Sequence, residues 1–125
     1  MSKSVLLIDD DPDDLMFFRE AVIEINPAYK CFTSTNAEET LQQLIKEKIK
    51  PNFIFLDLNM PRINGKDCLR QIKKIPWLSQ IPVIIYSTSK LKKEMEEVLK
   101  LGAFRFLIKP STLPDIIAAI KKIIE

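Results

Sequence analysis

Apolar residues in this chain fall into short, nearly continuous runs, separated by stretches in which they recur every three or four positions. The runs predict strands at about residues 4–9, 52–56, 83–86 and 104–108. Continuous apolarity over four or five residues is the habit of a strand covered on both faces, as in the centre of a parallel sheet. A weaker run over 29–33, with aromatic and β-branched residues, predicts one further strand. The intervening stretches read as helices. In the first, Asp11 is placed to cap and Pro12 to occupy the first turn, Leu15, Phe18, Val22 and Ile25 form the inward stripe, and Asn26-Pro27 stops the helix. In the second, Asn36 caps with Glu39 three residues on, as in a capping box, and Ala37, Leu41, Leu44 and Ile45 form the expected buried stripe. Lys46, Lys48 and Lys50 load its C-terminal end, where the helix dipole favours cations. A loop over 59–64, containing Pro61, leads through Gly65 to a third helix over about 66–74. Leu69 and Ile72 face inward there, and Pro76 ends it. Leu91, Met95, Val98 and Leu99 mark a fourth helix, with Gly102 suited to its C-terminal cap. A last helix starts near Leu113 and is expected to bury Ile116, Ile117, Ile120 and Ile123.

Strand and helix thus alternate five times, which predicts an α/β fold: a doubly wound, five-stranded parallel sheet with helices on both faces. At 125 residues the chain has room for one ordinary domain. With no linker, repeat or low-complexity tail legible, residues 1–125 are expected to form a single domain with nothing appended. Composition adds mainly exclusions. A net charge of +2 lacks the clustered basic footprint of a dedicated nucleic-acid binder. No apolar run approaches a membrane span, and Met1 to Ser4 lead directly into a strand, with no signal peptide. Cys31 and Cys68 sit alone in apolar patterns and read as reduced packing residues of a cytoplasmic protein. The chain has no histidine. That removes Ser-His and Cys-His catalysis, makes a zinc site poor, and rules out the chain itself as a phosphohistidine donor.

The chemistry lies at the ends of the runs. Asp9 and Asp10 follow the first, Asp57 the third, Ser87 the fourth, and Lys109 the fifth. A parallel sheet brings all these ends to one edge, where open α/β sheets place ligands. Three carboxylates there raise one another's pKa unless a cation offsets them. Only oxygen ligands are offered, which points to Mg2+ rather than zinc or copper. Around such an ion Asp57 can act as a nucleophile toward phosphorus and form an aspartyl-phosphate. Mg2+ and Lys109 would each neutralise a phosphoryl oxygen, and the Ser87 hydroxyl or a nearby backbone N–H would donate to the third. Asp13 and Asp14 read as an ordinary acidic first turn that suits the helix dipole. An EF-hand reading of residues 9–20 fails, because Asp14 replaces the required glycine and a strand precedes the loop.

Residues 6–10, the stretch Phe55-Leu56-Asp57-Leu58-Asn59-Met60-Pro61 with Gly65, residues 82–87, and Gly102-Ala103 through Lys109-Pro110 together resemble the receiver domain of two-component response regulators, over essentially the whole chain. The resemblance implies a flavodoxin-like (βα)5 fold with strand order 2-1-3-4-5, and a stand-alone regulator similar to those of chemotaxis. It implies that Asp57 is the phosphoacceptor. Asp10 would be the direct metal ligand, Asp9 would act mainly through water, and Asn59 would contribute its backbone carbonyl. Lys109 would contact the phosphate and be followed by a cis peptide to Pro110. Ser87 takes the switch hydroxyl position. Phe106 takes the switch aromatic position, where it carries no hydroxyl to donate. Asn59 and Ser89 would flank the path of a hydrolytic water. The implied partners are a histidine kinase or histidine phosphotransfer protein, and a downstream protein met through helix 4, strand 5 and helix 5. The chain would be a monomer or weak dimer, and not an enzyme beyond promoting its own phosphorylation and dephosphorylation. Two alternatives remain at this point. A phosphatase with an aspartyl nucleophile would want an acid where Asn59 stands. A flavodoxin-like cofactor binder would not line its phosphate-facing helix start with carboxylates.

Overall fold

The computed structural model describes residues 3–60 and 63–125. Pro61, part of the expected loop and of the family-like stretch, lies outside the described residues, as do Met1 and Ser2. Strands and helices alternate along the chain: β1 (Ser4–Ile8), α1 (Pro12–Ile25), β2 (Lys30–Ser34), α2 (Ala37–Ile45), β3 (Phe53–Leu56), α3 (Gly65–Lys74), β4 (Val83–Ser87), α4 (Lys92–Lys100), β5 (Arg105–Ile108) and α5 (Leu113–Ile124). All strand pairs are parallel, in the order β2-β1-β3-β4-β5. The expected doubly wound sheet and its order are both present.

Strand side chains alternate between two cores, as the two-residue period of a strand requires. Val5, Leu7, Phe55, Ile84 and Tyr86 pack with Phe18, Ala21 and Val22 of α1 and with Ile116, Ile120 and Ile124 of α5. Leu6, Ile8, Ile54, Leu56, Val83 and Ile85 pack with Leu41 and Leu44 of α2, Leu69 and Ile72 of α3, and Val98 of α4. Every strand of the central three is covered on both faces, which explains their continuous apolarity.

The caps follow the sequence. Asp11, Asn36, Asn64 and Thr112 each accept a hydrogen bond from a backbone N–H in the first turn of their helix. The capping box of α2 is only half formed: Asn36 Oδ1 accepts from the Glu39 N–H, while the Asn36 N–H donates to Ser34 Oγ instead. Its buried stripe also differs from expectation. Ile45 is 47% exposed, and Thr40 is buried in its place. Thr40 lies three residues after Ala37 and four before Leu44, in phase with the core, whereas Ile45 has turned past it at the helix end. Only Lys46 reaches the C-cap of α2; Lys48 and Lys50 lie beyond it. In α5, Ile117 and Ile123 are half-buried, and Ile124 is buried. In α4 only Val98 is buried, and Leu91 (64%) and Leu99 (48%) face outward. Gly102, at φ +106°, closes α4 in a backbone conformation that favours glycine. The Lys109–Pro110 peptide is trans, as are all those among the described residues, so the expected cis bond is absent. Trans is the ordinary state of an X–Pro bond, and the Lys109 N–H still extends the β4–β5 ladder by donating to the Ser87 carbonyl at 2.8 Å.

Candidate functional site

The alternation that builds the two cores also sorts the polar groups at the strand ends. Asp9 follows Val5 and Leu7 in phase, Asp57 follows Phe53 and Phe55, and Lys109 follows Leu107. All of these precursors belong to the α1/α5 core. These three charged side chains therefore emerge on one face, under the start of α1. Ser87 follows Val83 and Ile85, which belong to the α2/α3/α4 core. Its hydroxyl is buried on the other phase and accepts from the Ser89 N–H at 3.1 Å. Among the described residues no hydrogen bond joins Ser87 to the acidic cluster. Phe106 is half-buried on the same phase as Ser87 and packs against that core.

Asp9, Asp10 and Asp57 each present a carboxylate oxygen, all within 4.8 Å of one another. Asp9 and Asp57 are buried and Asp10 is more open. Asp10 lines a cleft of ≈ 300 Å3 together with Thr35, Asn36 and Met60. The Lys109 ammonium lies 2.8 Å from Asp9 Oδ2, 2.7 Å from Asp14 Oδ2 and 3.8 Å from Asp57 Oδ1, with its side chain 9% exposed. It also lies 5.6 Å from the centre of the Tyr86 ring. The backbone locks the strand ends: the Asp9 N–H donates to Ser34 O at 2.9 Å and the Asp57 N–H to Ile8 O at 3.0 Å. Gly65 closes the site from below. Its N–H donates to Leu58 O at 2.8 Å, and a Cβ there would stand 2.3 Å from the Asp57 carbonyl oxygen. Asn59 is exposed, and its backbone N–H faces the Asp57 carboxylate.

Burial pushes the Asp57 carboxyl up to about 6; Lys109 pulls it down, Asp9 pushes it up, the Asn59 N–H lowers it and Asp10 raises it. Burial raises Asp9 as well, against the pull of Lys109 and the Asp11 N–H. Lys109 would be lowered by burial, yet its hydrogen bonds to Asp14 and Asp9 and the nearby charges hold it above the ordinary lysine value. One lysine thus leaves the cluster short of positive charge. Asp9 Oδ2 is buried without a hydrogen bond of good geometry, although the ammonium is close. A hard dication with oxygen ligands fits this donor set, and the trio can hold one.

Asp14 is the residue that sequence reasoning missed. Read there as part of an acidic helix start, it instead hydrogen-bonds Lys109 across the site. Its helical phase carried the signal: Asp14 stands four residues before buried Phe18, on the inward stripe of α1. Asp13, by contrast, is exposed and only completes the Asp11 cap with its N–H.

A single parallel sheet covered by helices on both faces, with three aspartates after β1 and β3 and a lysine after the edge strand β5, is the arrangement of a receiver domain. The family model described as response regulator receiver domain matches residues 5–121. The chain belongs to that family, whose general function is phosphorylation on aspartate and whose members act with histidine kinases or phosphotransfer proteins and with downstream targets. Among relatives, the chain is 32% identical over 94% of its length to a probable C4-dicarboxylate response regulator, DctR, of Bacillus subtilis, and it spans 50% of that protein. Among solved structures it is similar to the phosphorylated cyanobacterial phytochrome response regulator RcpA, with TM-score 0.88 and 25% identity, covering 98% of this chain and 91% of that one. It is likewise similar to the Mn2+-bound form of the response regulator Rcp1, with TM-score 0.84 and 27% identity, covering 97% and 91%. No described helix is long and apolar enough to cross a membrane.

Proposed function

We propose that this chain acts as a cytoplasmic response regulator receiver that accepts a phosphoryl group on Asp57. The observation that carries this reading is the buried Asp57 carboxylate, raised in pKa, beside Asp9, Asp10 and the Lys109 ammonium. Asp9, Asp10, Asp57 and the Asn59 backbone carbonyl would hold Mg2+, whose chemistry when bound is to neutralise the carboxylates and one oxygen of the incoming group.

An Asp57 carboxylate oxygen forms a bond to phosphorus as the bond from phosphorus to the donor breaks. With a phosphohistidine donor, the imidazole nitrogen keeps the electron pair; with acetyl phosphate, the departing acetate oxygen does. Lys109, held dry above the Tyr86 ring, neutralises a second phosphoryl oxygen. Ser87, next along the edge, supplies a hydroxyl for the third once it releases the Ser89 N–H. That movement frees space on the α4 side, where half-buried Phe106 can turn inward and reshape the surface of α4, β5 and α5 offered to a downstream protein. The protein promotes gain and loss of its own phosphoryl group and turns over no separate substrate.

The test is intact-mass measurement after treatment with acetyl phosphate, with and without Mg2+. One phosphoryl group is expected on the wild type with Mg2+, and none on Asp57→Asn. Labelled Asp57→Asn would overturn the assignment, and steady turnover of a sugar phosphate would favour a phosphatase.

A further inference from the structure

The Lys109 ammonium is shared unevenly. Among the described residues, its one well-directed side-chain hydrogen bond goes to Asp14 Oδ2, at 2.7 Å. The contact with Asp9 is equally short but poorly directed, and Asp57 Oδ1 is a full ångström further away. Asp14 is not one of the three clustered aspartates. It reaches the lysine from α1, which is fixed against the sheet by Phe18, Ala21 and Val22. Its side chain is 31% exposed, so its charge is partly hydrated and its hold on the ammonium is moderate.

We propose that Asp14 is a positioning residue that tethers Lys109 in the resting state, so that the incoming phosphoryl group must win the ammonium from it. The proposal rests on the assignment of Asp57 as phosphoacceptor. A phosphoryl oxygen on Asp57 needs the ammonium in direct contact, and at 3.8 Å from Asp57 the lysine stands slightly withdrawn. A dianion outbids a partly hydrated carboxylate, and the exchange goes forward. The tether nevertheless raises the free energy of every state in which Lys109 serves phosphorus, and Asp14 adds a negative charge beside the developing dianion. Both effects slow phosphorylation and set a threshold that a weak donor does not easily cross.

Asp14→Asn keeps the size of the side chain and removes its charge. With acetyl phosphate and Mg2+ the initial rate of Asp57 phosphorylation is expected to rise about three- to tenfold, the scale of one partly screened charge at this distance. Asp14→Ala should accelerate similarly, whereas Asp14→Glu, which keeps the charge and the reach, should stay near the wild-type rate. A general loosening of the site would not separate charge-keeping from charge-removing variants, and equal urea midpoints would show that the variants are equally folded. An unchanged or slower rate in both Asp14→Asn and Asp14→Ala, or equal acceleration in Asp14→Glu, overturns the proposal. Failure of the wild type to gain any phosphoryl group would instead overturn the assignment of Asp57, so the two failures are distinct.

Discussion

The two faces of the sheet are built to different standards. On the α1/α5 face, Phe18, Phe55 and Tyr86 form an edge-to-face trio with ring centres 4.9 to 6.2 Å apart, and α5 is tied to the start of β2 by the Tyr29 hydroxyl donating to Ile124 O at 2.8 Å. On the opposite face, α4 buries only Val98, begins at Leu91 with no side-chain cap, and leaves Leu99 outward. The buried Trp77 indole N–H finds no partner among the described residues. Asp9, Asp57 and Lys109 stand on the α1/α5 face, and Ser87 and Phe106 stand on the phase that α4 covers thinly. A receiver needs that division: a fixed acceptor on one side, and on the other a layer that can repack at low cost when the acceptor changes charge.

The largest test of this contrast is a matched pair of truncations. Phe55→Ala removes one ring of the trio from a fully buried position and should cost about 3–5 kcal/mol. Leu99→Ala, an equally apolar change on α4, should stay within about 0.5 kcal/mol of the wild type. Urea midpoints measure both. Comparable losses would show that the faces are equally packed, and the division would fail.

A smaller effect separates the charge of the site from its packing. Asp57 has a folded pKa of about 6 against an ordinary value of 3.8. A raised carboxyl contributes stability that is complete below the unfolded value and is lost as pH rises through the folded one. At neutral pH the ionised, buried Asp57 therefore weakens the metal-free protein. Asp57→Asn should be more stable than the wild type by about 2–3 kcal/mol at about pH 7.5 without divalent cations, and the gap should close toward about pH 4. Mg2+ should narrow the gap at neutral pH by stabilising the wild type alone. A gap independent of pH would mean that the variant acts through packing rather than through the carboxylate charge.

Much of this site was legible because strands have a period of two. Asp9, Asp57 and Lys109 each end an apolar run, and parity alone puts them on one face while setting Ser87 on the other. The same reasoning, extended to the period of a helix, identifies Asp14 from its spacing to Phe18; the acidity of the neighbouring residues hid it. The outward turn of Leu99 and Leu91 was not legible, since apolar spacing in α4 gives a helix but not the extent of the surface waiting to cover it. That extent depends on β5, only four residues long, at the edge of the sheet. Nor did local sequence decide the isomer before Pro110, where the peptide is trans and not cis as expected.

The smallest expected effect probes the start of α4. Four of the five helices among the described residues have a side-chain cap, and α4 has Leu91 in that position, with extended backbone angles of −74° and 116° that suit a capping residue. Leu91→Ser places a hydroxyl where it can accept from a first-turn N–H, and it removes an exposed leucine that buries little. A stabilisation of about 0.5–1 kcal/mol is expected, read from the urea midpoint. If α4 is left uncapped so that it can shift when Ser87 and Phe106 move, the same variant should also slow amide hydrogen exchange at α4 while leaving α1 untouched. Slower exchange spread evenly over both helices would place α4 in the same cooperative unit as α1 and remove the basis for treating the two faces as different.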